Sequence, residues 1–216
     1  MATETTIEFD EGALSALIDH PEQTAWATMV LAHGSGAGKD HPFMRGYAQA
    51  MANLGVRVLS FNFPYLDAGK KFPDRAPKAI ATWHSVMSWA REQFAGPLIA
   101  AGKSYGGRMA SLAVAEGLSS DALVFLGYPW HAPKTPEKIR AEHLPGISVP
   151  MLFLQGTKDP FAQSSLLPQS LAQLPRNSVV HWIEGGDHSF KVARSGRSVA
   201  EDGAHLATPS VDFLRR

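Results

Sequence analysis

Short apolar runs alternating with longer helical stripes predict an α/β protein: a mostly parallel, doubly wound sheet with helices on both faces. The runs, residues 29–32, 56–61, 98–101, 123–126, 151–154 and 179–183, are compact and almost unbroken by polar residues. Strands buried on both faces of a parallel sheet read that way. Neither an internal repeat nor a linker-like change in composition divides the chain, so one domain is expected over residues 1–216.

The elements follow in order. Residues 7–9 and 14–18 are modest strand candidates separated by Asp10-Glu11-Gly12, a turn signal, and read as an opening hairpin. Phe43, Tyr47, Met51 and Leu54 recur at about one helical turn, with Pro42 at the start and Gly55 as the stop. Ala76, Ile80, Trp83, Met87, Ala90 and Phe94 form a second stripe, with Asp74 as cap and Gly96-Pro97 as its end. Residues 105–116, rich in small side chains, form a third helix closed by Gly117. The last spans 209–215, with Thr208-Pro209 as cap and first turn.

Composition excludes several functions. The 216 residues carry 20 Lys+Arg and 20 Asp+Glu, a net charge of zero, which argues against nucleic acid as the main partner. Without cysteine there is no disulfide, thiolate nucleophile or Cys-ligated metal. The nine histidines form neither H-x-x-x-H nor H-E-x-x-H pairs, so no metal is expected. The acidic N-terminus does not read as a signal peptide, and no apolar run approaches membrane-spanning length. A soluble, cytoplasmic protein without a membrane partner is the expectation. Its oligomeric state is not encoded in any pattern.

Chemistry in such sheets gathers beyond the C-terminal ends of the strands. There the sequence reads Gly102-Lys103-Ser104-Tyr105-Gly106, directly after one strand and before one helix. G-x-S-x-G alone is common, and Ser104 could merely cap a glycine-rich turn. Between strand and helix the motif instead describes a nucleophile elbow, a sharp turn whose glycines avoid contact with neighbouring backbone.

A serine hydroxyl needs a base and an orienting acid. His188, in GGDHSF after the last strand, is placed as the base, and Asp159, in QGTKDPF after the preceding one, as the acid. Asp187 is the rival acid. As the neighbour of His188 on one turn, it is better suited to shaping the loop. Backbone N–H groups to hold an oxyanion would come from Tyr105 and from Ser35, or else Gly36, in HGSGAG after the first parallel strand. His33 in that loop reads as structural. The segment fails as a phosphate loop, because His33 stands at the first required glycine and Asp40 at the Ser/Thr.

The set HGSGAG, GKSYGG, QGTKDPF and GGDHSF, in this order, resembles the small cap-less α/β-hydrolases near the dienelactone-hydrolase group. Within them it is most similar to predicted hydrolases with a GKSxGGR elbow and a GYPxH loop. The likeness runs from about residue 26 to 214 and implies an α/β-hydrolase fold with a Ser104, Asp159, His188 triad and no cofactor. Dienelactone hydrolases proper use cysteine where this chain has Ser104, so the resemblance does not carry over their lactone activity.

The resemblance and the motifs together imply hydrolysis of a small carboxylic ester, thioester or related acyl substrate. The short stretch between residues 126 and 151 leaves no room for a lid and implies an open, shallow site. Trp130, His131 and Tyr65, just past strand ends, are candidates for substrate contact, and the insertion from Trp130 to Arg140 and His143 for the pocket rim; loop packing is the alternative. Lys103 either borders the site or projects away from it. A binding protein with an idle triad, and an acyltransferase, peptidase or lyase using the same groups, remain as rival readings.

Overall fold

The computed structural model describes residues 2–9 and 12–216. The opening strands β1 (Ala2–Phe9) and β2 (Gly12–Asp19) are antiparallel partners, longer than the sequence pattern suggests. Asp10 and Glu11 of the expected turn lie outside the described residues. The six apolar runs become β3 (Ala27–Ala32), β4 (Val56–Phe61), β5 (Leu98–Lys103), β6 (Ala122–Leu126), β7 (Met151–Gly156) and β8 (Ser178–Ile183).

All eight strands join one sheet in the order β1-β2-β4-β3-β5-β6-β7-β8. Pairing is antiparallel through β2–β4 and parallel from β4 to β8. The chain steps outward from β3 to β4, then returns past β3 to β5. Strand order therefore reverses beside β3 and β5, and a crevice opens at their C-terminal ends.

The unbroken apolar runs are explained by two cores. Along each strand alternate side chains point to opposite faces. Met29, Leu31, Ile99, Ala101, Val124 and Leu126 meet Phe43, Tyr47, Met51 and Leu206 on one face. Val30, Ala32, Leu98, Ala100, Leu123 and Phe125 meet Ile80, Trp83, Met87 and Met109 on the other. Each such large side chain contributes about 1.5–3 kcal/mol by leaving water.

On the first face lie α1 (Pro42–Asn53), α6 (Val199–Ala204) and α7 (Ala207–Leu214); on the second, α3 (Ala76–Gln93) and α4 (Tyr105–Ala115). Two short helices, α2 (Pro64–Asp67) and α5 (Pro168–Ala172), sit in connecting segments. Three local expectations are corrected. Leu54 is the C-cap of α1 and 37% exposed, so the buried stripe ends at Met51. Arg75, not Asp74, precedes α3; the Asp74 carboxylate instead accepts from the Tyr65 N–H at 3.1 Å. The last helix starts at Ala207, two residues before Pro209, and the Ser210 N–H closes its first turn onto the Leu206 carbonyl at 3.3 Å; the Ser210 hydroxyl donates to the same carbonyl (2.8 Å) and accepts from the Tyr47 hydroxyl (2.9 Å).

Between β6 and β7 the chain forms only a 3₁₀ turn, Leu144–Gly146, so no cap domain covers the strand ends. Among the described residues no helix is long and apolar enough to cross a membrane.

Helices α1 and α6 cross at backbone contact. A Cβ on Gly46 would overlap the Ala200 carbonyl, and one on Gly203 the Phe43 carbonyl. Gly46→Ala should therefore cost about 1–3 kcal/mol, the usual range for overpacking. Gly146→Ala, where a Cβ meets nothing within 4 Å, should leave the denaturation midpoint unchanged. Equal midpoints for the two variants would show that the crossing is not tight.

Candidate active site

Ser104 joins β5 to α4 with φ 48° and ψ −111°, a conformation side chains other than glycine avoid. Strain of this kind costs on the order of 1–3 kcal/mol and persists only where the surroundings enforce it. The enforcement is visible. Ser104 N–H donates to the Leu126 carbonyl at 3.1 Å, and its own carbonyl accepts from Arg108 at 3.0 Å. A Cβ on Gly102 would overlap the backbone of Gly106 and Gly107, and one on Gly106 the His33 carbonyl. Both glycines of the motif are thus required by close approach.

The turn directs the Ser104 hydroxyl to Nε2 of His188 at 2.9 Å, and Nδ1 of the same ring lies 2.8 Å from Oδ2 of Asp159. An ionised carboxylate can only accept, so the proton sits on Nδ1 and the Nε2 lone pair faces Ser104. Asp159 is 2% exposed, and two further donors satisfy it: Gln155 Nε2 at 2.6 Å and the Phe161 N–H at 2.8 Å. The Phe161 ring lies against the imidazole, centroids 4.3 Å apart.

Asp187, the rival acid, is occupied otherwise. Its Oδ1 accepts from the N–H groups of Ser189 (2.8 Å) and Lys191 (3.0 Å), which folds the histidine loop. A Cβ on Gly156 would overlap Gly186, so the end of β7 and the loop after β8 touch backbone to backbone.

The loop after β3 is braced from behind. His33 is fully buried; Nδ1 donates to the Gly34 carbonyl at 2.6 Å, and Nε2 accepts from the Phe63 N–H at 3.0 Å. Burial moves its pKa below the usual histidine value, which keeps the ring neutral. The Tyr65 hydroxyl lies 3.4 Å from the Gly34 carbonyl and 3.3 Å from that of Ser35, and burial pushes its pKa up to about 12. The Tyr105 hydroxyl donates to the Asp74 carbonyl at 2.7 Å. The Tyr105 side chain is thereby held away from the Ser104 hydroxyl, while its N–H, first in α4, has no intrahelical acceptor.

A cavity of about 480 Å³ opens beside Ser104. Ser35 and Gly36 line it, with Lys103 and His188, and its far wall is Phe43, Met44 and Val199. Neither Tyr65, Trp130 nor His131, expected as substrate contacts, borders it. Trp130 is buried between Tyr128 and Phe153, with ring centroids 5.2 and 5.0 Å away. His131 is buried and its Nε2 accepts from the Gln163 N–H at 3.0 Å. Arg140 N–H closes the insertion onto the Trp130 carbonyl at 2.7 Å, and His143 pairs with Ser111 at 2.7 Å. The insertion therefore packs over the core containing α4 instead of rimming the cavity.

The wall formed by α1, α6 and Lys191 had no counterpart in the sequence reading. The available signals were Phe43-Met44 just after the glycine-rich loop and Lys191 just after the histidine loop. Among the described residues no three His, Asp or Glu side chains are grouped as metal ligands.

A family model described as an alpha/beta hydrolase domain matches residues 25–215. Among solved structures, a lid-less α/β serine hydrolase from Xanthomonas campestris is similar with a TM-score of 0.79 and 20% identity, over 100% of this chain and 94% of that one. An α/β serine hydrolase homologue from Coxiella burnetii gives 0.78 and 17%, over 97% of each chain. A dienelactone hydrolase from Anabaena variabilis gives 0.75 and 20%, over 97% and 95%. At these identities the likeness is one of fold.

The strain at Ser104 is measurable. Ser104→Gly relaxes the backbone and should leave the fold more stable than Ser104→Ala, by about 1 kcal/mol or more in denaturant melts. Equal stability of the two variants would contradict a strained turn.

Proposed function

The chain belongs to the alpha/beta hydrolase domain family, and on that premise we propose that it is a serine hydrolase cleaving a small carboxylic ester, thioester or related acyl substrate. The observation that carries this reading is the hydrogen-bonded series Ser104–His188–Asp159, at 2.9 and 2.8 Å, beside an open cavity. A binding protein would have no use for a strained serine aligned on an imidazole that is itself held by a buried carboxylate. Its similarity in fold to serine hydrolases supports the same reading.

Ser104 Oγ attacks the acyl carbonyl carbon as its proton passes to His188 Nε2. Asp159 holds the ring by Nδ1–H and stabilises the imidazolium that forms. Charge developing on the carbonyl oxygen is taken by the backbone N–H groups of Tyr105 and Ser35; one such donor is worth about 10²–10³ in rate. The imidazolium then protonates the departing alkoxide or thiolate, leaving an acyl-Ser104 ester. Water, deprotonated by His188, hydrolyses that ester and regenerates the hydroxyl. No cofactor takes part in these steps. The cavity holds a group of modest size, and with no cap domain it suits small substrates over long buried acyl chains.

Turnover of short-chain p-nitrophenyl esters and thioesters, with intact mass after a fluorophosphonate, tests the proposal. Wild type should gain one adduct. Ser104→Ala and His188→Ala should each lose about 10⁴-fold or more in kcat, and Asp159→Asn about 10³–10⁴-fold. Ser104→Ala should remain unlabelled. Turnover retained in that variant would refute the assignment.

A further inference from the structure

Lys103 precedes Ser104, and none of the steps above uses it. It ends β5, paired with Leu126 of β6. Its Cγ lies 3.5 Å from where a Cβ on Gly34 would stand, so the loop after β3 packs on its stem. Its Nζ donates to the backbone carbonyl of His188 at 2.6 Å and faces the Phe190 ring at 5.6 Å. Among the described residues no backbone N–H reaches that carbonyl, and no carboxylate pairs with Nζ.

Gly127 is shaped around this bond. It holds φ 71°, and a Cβ there would come within 3.2 Å of Nζ and 3.4 Å of the His188 carbonyl. The lysine therefore touches three of the segments that the proposed chemistry requires: the loop after β3, the nucleophile turn and the histidine loop. Building on the serine-hydrolase reading, we propose that Lys103 is a positioning residue that fixes the His188 backbone against the Ser104 turn.

The bond is strong because its donor is charged. A charged donor in this place is also titratable. Burial pulls the ammonium down to about 8, against the opposing pull of Asp159 and Asp187. The ionisable groups facing it are Asp159 from the loop after β7, and Asp187 and His188 from the loop after β8; its other neighbours, Gly34 and Gly127, carry none. Below about pH 8 the charged donor holds the loop, and above it a neutral amine holds it more weakly. The reactivity of Ser104 should accordingly fall as pH rises through that value.

The test compares wild type, Lys103→Met and Lys103→Arg by the rate of fluorophosphonate inactivation against pH, and by NMR titration of the His188 ring. Methionine keeps the apolar stem and loses the donor; inactivation at pH 7 should slow about 10–100-fold, as for loss of a charged hydrogen bond. Arginine keeps donor and charge, so most of the rate should return without the decline near pH 8. The His188 titration should move upward in Lys103→Met, because a neighbouring positive charge no longer opposes the imidazolium. Wild-type rates, an unchanged pH profile and an unmoved His188 titration in Lys103→Met would overturn the proposal. If wild type itself does not react, the serine-hydrolase reading falls, and the His188 titration alone then decides whether Lys103 acts on that loop.

Discussion

The turn at Ser104 is the constraint around which the candidate site is arranged. A backbone with φ 48° must be forced, and the force comes from parallel strands β3, β5 and β6, which put His33, Gly102 and Leu126 against the turn. Those strands are held in turn by two apolar cores, one on each face of the sheet. Hydrophobic burial is not directional, but here it supplies the energy that keeps a few unfavourable torsions in place. Remove the glycines on either side and the turn cannot form, however well the cores pack.

Polar groups in the site are fixed by backbone N–H groups as well as by other side chains. Asp187 folds the histidine loop through two N–H groups, and His33 bridges the loop after β3 to Phe63. Asp159 also takes one backbone donor, besides Gln155 and His188. A buried carboxylate without such donors would be costly to accommodate; with them it is fixed in place and can hold the imidazole in one tautomer. Lys103, at the end of β5, adds a tie from its Nζ to the carbonyl of His188 in the loop after β8.

Much of this was legible in the sequence. Strands buried on both faces leave unbroken apolar runs, and the close approaches around Ser104 leave glycines at 102 and 106. Ser104, Asp159 and His188 could be ordered because each follows a strand, and the parallel sheet brings such ends together. Direction was not legible. Trp130, His131 and Tyr65 also follow strand ends, but the path of each loop turns them inward, and no local pattern records that path. Asp74 could cap a helix or accept from a distant N–H, and the long-range use won. Helix α6 has only six residues, too few for a periodic stripe, yet it supplies Val199 and Asp202 to the cavity wall.

The central claim is that one strained serine, one imidazole and two backbone donors are already arranged for acyl transfer. A crystal structure of the wild-type protein after reaction with a phosphonate ester tests it most directly. The account requires phosphorus bonded to Ser104 Oγ, with its oxygen within about 3 Å of the N–H groups of Tyr105 and Ser35 and His188 Nε2 facing the leaving-group position. Phosphorus on another residue, or an oxygen turned away from both amides, would contradict it.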